Sequence, residues 1–359
     1  MTDKKVILNT ATLAKITLNA PKKLNALDLD MCNLLGNALG QWQQDKSVKA
    51  VLITGAGEKA FCAGGDVVGV CEQGKTDIQK ACEFFWSEYR TNWRVKNLSK
   101  PYIAFIDGIV MGGGVGVSVH GHYRIATERT MLAMPETMIG FFPDVGGTYF
   151  LSRLPNNMGM FLGLTGHRVY AADLLQLGIA THYIHSTKLA ELEQKLATAD
   201  YSADAFATVE QILNQYCSQP DAGKLAAITD QVDRLFSADS LTQLMQNLTD
   251  DNSQFADRIL STLAKMSPTS LAVTFEQIKT GKAMNFDQVM QTEMRMAWHM
   301  MQQPDFTEGV RALLVDKDKT PHWQPDQLAV ITPDMVQNYF NPIDNELFFD
   351  WDKPVSYSG

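Results

Sequence analysis

Glu136 and Asp144 stand eight residues apart, each directly after a proline and among apolar residues, in Ala133-Met134-Pro135-Glu136-Thr137 and Phe142-Pro143-Asp144-Val145-Gly146-Gly147. Paired carboxyls can do general acid–base or nucleophilic work, and burying them without a task is costly. Taken alone, the pair reads more readily as two surface carboxylates in loops. Upstream lies Ala60-Phe61-Cys62-Ala63-Gly64-Gly65-Asp66. Its adjacent glycines let backbone N–H groups approach a ligand, and Asp66 can cap the next turn. A third segment, Asp107-Gly108-Ile109-Val110-Met111-Gly112-Gly113-Gly114-Val115-Gly116, runs from a strand through glycines into an apolar helix. Unpaired N–H groups at that junction suit developing negative charge.

Other chemistries fit less well. A dinucleotide fingerprint starting at Gly112 or Gly114 requires glycine at 117 or 119, and both are valine. Gly116-Val117-Ser118-Val119-His120 lacks the closing glycine of a nucleophile elbow, so Ser118 is not expected to attack. His120, His122, His182 and His185 have no carboxylate at metal spacing and read as structural or exposed. The five cysteines (Cys32, Cys62, Cys71, Cys82, Cys217) show no clamp spacing. Reduced thiols are therefore expected, with neither a disulfide framework nor a metal site. A net charge of -9 argues against a broad nucleic-acid surface but leaves room for a local basic pocket. Met1–Thr10 carries two lysines and a short apolar run, Val6-Ile7-Leu8, without a signal-peptide core. With no stretch long enough to span a membrane, the chain is expected to be soluble and cytoplasmic.

The elements that must hold these residues can be traced in the pattern. Strands are expected at Thr12–Leu18, Val48–Thr54, Tyr102–Ile106, Tyr123–Ala126 and Met131–Met134. A helix capped by Asp28 should bury Met31, Leu34, Leu35, Ala38, Leu39 and Trp42, whose offsets of three and four form one stripe. Strand–helix alternation makes this an α/β protein. After residue 186 the pattern becomes mainly helical, dividing the chain into 1–186 and 187–359. Leu189, Leu192 and Leu196 form a stripe. Ser267-Pro268 caps a helix stopping at Gly281, and a methionine-rich helix from Phe286 to Met301 reads as core packing. The aromatic, acidic tail from Asn341 is expected to pack on the surface.

In their order, Pro21-Lys22-Lys23-Leu24-Asn25-Ala26-Leu27-Asp28 and the three segments above resemble the crotonase superfamily of coenzyme A thioester enzymes. The likeness covers roughly residues 5–186 and implies a spiral of ββα turns stacked into two nearly perpendicular sheets, with a helical C-terminal region. It implies an oxyanion hole at the N–H groups of Gly65 and Gly113, and CoA contacts at Lys22, Leu24, Ala63, Asp66 and Val67. CoA enters as part of the substrate, and no separate cofactor is implied.

The departures from the superfamily pattern narrow the reading. Hydratases hold water between two glutamates, but the first of those positions is Gly116 here, leaving Glu136, with Asp144 where hydratases usually carry glycine. Ser87-Glu88-Tyr89-Arg90, Ser267–Leu271 and Asp305–Trp323 resemble the 3-hydroxyisobutyryl-CoA hydrolase branch, which implies that Glu88 lies near the acyl group. The expectation is thus an acyl-CoA hydrolase acting through Glu136 and Asp144 in valine catabolism. An enoyl-CoA hydratase or isomerase acting through Glu136 is the first alternative, and a non-catalytic acyl-CoA-binding protein the second. A homo-oligomer is admitted, since many superfamily members assemble through their C-terminal helices, although this longer region could cover that surface.

Overall fold

The computed structural model describes residues 4–357, and Met1–Asp3 of the opening segment lie outside them. Ten short strands are β1 (Val6–Asn9), β2 (Leu13–Leu18), β3 (Ala50–Gly55), β4 (Ala60–Cys62), β5 (Tyr102–Ile106), β6 (Ile109–Met111), β7 (Tyr123–Ala126), β8 (Met131–Ala133), β9 (Val169–Tyr170) and β10 (His182–Tyr183). They form one sheet in the order β1-β2-β3-β5-β7-β10 and another in the order β4-β6-β8-β9. In the pairs β3–β4, β5–β6 and β7–β8 the chain therefore gives one strand to each sheet before moving on, which makes the spiral. Pairing is parallel except at β1–β2 and β8–β9.

Both faces of the larger sheet are covered, as parallel strands require. Ala14, Ile16, Leu18, Val51, Ile53, Ala104 and Ile106 face the main core. The alternate residues Leu13, Ala50, Leu52, Ile103, Phe105 and Ile125 face a smaller cluster that includes Leu192, Leu196, Val209 and Leu213. Those last four belong to helices Leu189–Ala197 and Ala205–Tyr216. Part of the stretch after residue 186 thus seals the far side of the sheet.

Helix α1 (Leu29–Gln44) starts where the Asp28 side chain accepts the Met31 N–H. Its expected stripe is buried with one exception: Leu34 is 48% exposed, because α1 packs through Met31, Leu35, Ala38 and Leu39 and turns position 34 outward. Asp66 caps α2 (Val67–Gly74), and Asp77 caps α3 (Ile78–Asn97). On α3, Arg94 donates to the carbonyl oxygens of Gly36 on α1 and of Asp350, Trp351 and Lys353 in the tail, while Arg90 reaches Pro354. The tail is thereby clasped to this helix, with Trp93 stacked on Phe349 at 5.2 Å. Ser267 caps Pro268–Gly281, and the helix Phe286–Met301 buries Met290, Met294, Met296, Met300 and Met301 as core.

Candidate active site

Seven of the expected residues line one cavity of about 240 Å³: Ala63, Gly65, Val67, Glu88, Gly113, Glu136 and Asp144. Gly65 is bridged to Leu27, which donates to the Gly64 carbonyl and accepts from Asp66 N–H. In a parallel bridge the flanking residues make those bonds, so the Gly65 N–H points away from Leu27. Gly113 opens the short helix α4 (Gly113–Gly116) after Gly112 turns with φ 44°, leaving the Gly113 N–H with no acceptor inside the helix. Both positions are closed to side chains. A Cβ at 65 would lie 2.7 Å from the Phe84 ring, and one at 113 would lie 2.3 Å from Glu88 Oε1. Glu136 opens a single 3-10 turn after Pro135, with its Oε1 above Gly112.

Glu136 and Asp144 are each 6% exposed, which overturns the reading of them as surface loop carboxylates. Burial pushes Glu136 well above the usual carboxylate range, and the charge of Asp144 adds to it. Glu88 is raised for the same two reasons, with Glu136 contributing as well. Burial moves Asp144 up to about 7, held back by the Tyr89 hydroxyl that it accepts at 2.8 Å. Three acids in one small cavity cannot all be ionised at neutral pH, so at least one keeps its proton.

The Asp144 turn is held in a costly shape. Val145 has φ 54°, a region that β-branched residues rarely occupy, and Gly146 follows at φ 83°. Its braces come from far along the chain. Glu293, fully buried in the helix Phe286–Met301, accepts the Gly146 N–H at 2.7 Å and the Thr148 N–H at 2.9 Å. Gln277 donates to the Pro143 carbonyl at 2.7 Å. His120 Nε2 lies 2.7 Å from the Val145 carbonyl, and burial lowers its pKa to about 3, so it is a neutral N–H donor. Sequence reasoning did not single out Tyr89, Glu293 or Gln277. Tyr89 sits in the quoted Ser87–Arg90 motif, whereas nothing local marks the other two.

The expected CoA positions divide. Ala63 and Val67 line the cavity, together with Leu313 and Leu314 from a π-helical turn, Arg311–Val315. Leu24, in the left-handed region at φ 52°, accepts the Ala63 N–H at 3.0 Å. Asp66 pairs with Lys23 at 2.9 Å, and Lys22 is exposed on the adjoining 3-10 turn. None of these three lines the cavity. Asn25 locks that turn by accepting the Ala20 N–H and donating to the Ala56 and Ala60 carbonyls.

Ser118 donates its hydroxyl to the Gly114 carbonyl at 2.7 Å and lies buried. Cys32, Cys62, Cys71 and Cys82 are buried free thiols, and Cys217 is exposed. Among the described residues no group of His, Cys, Asp and Glu is placed to hold a metal ion, and no helix is long and apolar enough to cross a membrane.

Strands shared alternately between two sheets, with two glycines and three acids lining one cavity, match what the likeness to thioester enzymes implied. The family model described as enoyl-CoA hydratase/isomerase matches residues 13–340, and the chain belongs to that family, with the crotonase fold. Its relatives include a protein of Xenopus tropicalis named 3-hydroxyisobutyryl-CoA hydrolase, mitochondrial, 46% identical over 92% of this chain and 86% of that one. The Danio rerio protein of the same name is 47% identical over 92% of this chain and 87% of its own. Among solved structures, one described as a carnitinyl-CoA dehydratase from Mycobacterium thermoresistibile is 36% identical, with TM-score 0.90 over 97% of this chain and 99% of that one. Another, described as an enoyl-CoA hydratase from Rhodobacter sphaeroides 2.4.1, is 31% identical, with TM-score 0.88 over 96% and 100%.

Proposed function

We propose that this enzyme hydrolyses 3-hydroxyisobutyryl-CoA to 3-hydroxyisobutyrate and CoA, a step in valine breakdown. The observation that carries this reading is the convergence of Glu88, Glu136 and Asp144 beside Gly65 and Gly113, with position 116 closed to the second glutamate of a hydratase. A Cβ at Gly116 would meet Val145 Cβ at 2.6 Å and Asn92 Nδ2 at 2.7 Å. The hydrolase name shared by the relatives supports the same choice.

The N–H groups of Gly65 and Gly113 receive the thioester oxygen as it gains charge; losing one such donor typically costs about 2.7–4 kcal/mol of barrier. Glu136 and Asp144 share one proton through the neutral range, and the reactive arrangement has the charge on Glu136 and the proton on Asp144. Glu136 attacks the carbonyl carbon, the C–S bond breaks, and the departing thiolate takes the Asp144 proton. Water then cleaves the resulting anhydride, giving 3-hydroxyisobutyrate and the Glu136 carboxylate and returning a proton to Asp144. Glu88 holds the hydroxyl end of the acyl group. The CoA arm passes Ala63 and Val67, framed by Lys22, Leu24 and Asp66. Free buried thiols suit a reducing compartment, either the cytoplasm or a mitochondrial matrix, and cell fractionation separates the two.

Free-thiol detection over a panel of acyl-CoA thioesters tests the reading. Release from 3-hydroxyisobutyryl-CoA should exceed that from crotonyl-CoA, and Glu136→Gln should lower it by at least about a hundredfold. Near-normal turnover by that variant would reject the role of Glu136. Loss of enoyl absorbance from crotonyl-CoA without thiol release would favour the hydratase alternative. CoA binding without turnover of any thioester would favour a binding protein.

A further inference from the structure

Tyr89 enters neither the expected site nor the reaction outlined above, yet its hydroxyl makes a direct side-chain bond to a proposed catalytic acid. The phenol is fully buried on α3, one residue after Glu88, and donates to Asp144 Oδ2 at 2.8 Å. Burial and the surrounding carboxyls push its own ionisation well above the ordinary tyrosine value, so it stays a donor throughout the working range. Other groups face Asp144 from every side. Glu88 shares α3, Glu136 comes from the turn after β8, and Glu293 reaches in from the helix Phe286–Met301. His120 binds the next residue's carbonyl as a neutral ring. Burial disfavours a charge on Asp144, and that charge in turn raises the other three acids, whereas the Tyr89 hydroxyl is the side chain seen to stabilise it.

We infer that Tyr89 is a positioning residue that pins one oxygen of Asp144 and sets the pH at which the Glu136–Asp144 pair first loses a proton. With Oδ2 occupied, Oδ1 is left to meet the substrate, and the carboxyl plane is fixed by a rigid ring whose centroid lies 5.9 Å from that of Phe85. The consequence for catalysis rests on the hydrolase reading; the bond and its effect on ionisation do not.

Tyr89→Phe keeps the ring and removes only the donor. The acid limb of its kcat/KM profile for thiol release should move upward by about one to two pH units, the equivalent of a lost hydrogen bond to a charged group. On an Asp144→Asn background the same substitution should leave the pH dependence of the melting temperature unmoved, because the partner charge is already gone. An acid limb that stays in place, whether or not the plateau falls, would overturn the inference. A thermal melt checks that the variant folds. An independent arm uses full-length protein labelled with carboxyl-13C aspartate, with the Asp144 resonance assigned by its loss in Asp144→Asn. Its titration should move up in Tyr89→Phe, and an unchanged titration would refute the assignment. Should wild-type protein release no thiol from any acyl-CoA, the hydrolase reading fails while the 13C titration still decides the role of Tyr89.

Discussion

Asn92 and Val145 press against Gly116 so closely that any side chain there would displace them. Replacing Gly116 with glutamate would not restore a hydratase pair; it would force a charged group into an occupied space. Overpacking alone costs about 1–3 kcal/mol, and an unpaired buried charge adds to it. Gly116→Glu should therefore lower the melting temperature and gain no crotonyl-CoA hydration, as measured by enoyl absorbance. Gly113→Ala would collide with Glu88 Oε1 and should abolish thiol release more than it harms folding, because Glu88 faces a cavity and can shift. Gly65, Glu88, Gly113, Glu136 and Asp144 could be picked out from the chain through the family likeness of the strings that hold them. Tyr89 could not be picked out as a partner of Asp144, since a tyrosine beside an apolar helix face looks like ordinary core. Their contact spans 55 positions and depends on how α3 crosses the Asp144 turn.

The turn from Pro143 to Thr148 owes its shape to elements beyond residue 186. Glu293 supplies both of its carboxylate oxygens to N–H groups of that turn. Truncating a buried acceptor leaves those donors unpaired, at about 1–3 kcal/mol each. Glu293→Ala should then destabilise the protein by several kcal/mol in denaturant unfolding and lower kcat through Asp144 misplacement. Glu293→Gln keeps one acceptor and should rescue part of both losses. Helix Phe286–Met301 itself was legible, since its methionines recur at helical spacing and Asn285 caps it. The inward aim of Glu293 was not, because a single glutamate among methionines carries no mark of the backbone it will meet. Strands β5 and β7 are bounded as expected, by Pro101 and Asp107 around the first and by a short β-rich run in the second. Strands β1, β4, β6, β9 and β10 were not expected, because runs of two to four residues are too short to read until their pairing is known.

For the molecule as a whole, the buried acids set a pH dependence of stability. Unfolded carboxyls titrate near 4. In the folded protein Asp144 moves to about 7 and Glu293 to about 8, with Glu88 and Glu136 raised as well. The folded state therefore binds protons more tightly, and this contribution is complete below the unfolded value and lost as pH rises through the folded ones. The melting temperature of ligand-free protein should fall between about pH 5 and pH 8, and Asp144→Asn should flatten the slope. One core cluster joins residues from Val6 on β1 to Leu347, so the mainly helical part is integral to the packing around the site. The two-sheet spiral could be expected only through family likeness, because strands of two to six residues carry too little periodicity to fix their partners.

The clasp of Arg90 and Arg94 on the tail has a consequence for the order of events during synthesis. Helix α3 presents Glu88 and Tyr89 inward from the same stretch that grips the carbonyls of Asp350, Trp351 and Pro354. A ribosome must translate more than two hundred further residues between Arg94 and Asp350 before those guanidinium groups find their partners. Until then two buried cations sit beside an unfinished wall, and the helix that carries the acids lacks its outer support. A nascent chain halted before Asn341 should thus be protease-sensitive around α3 and silent in thiol release, and activity should appear only once the tail has cleared the exit tunnel.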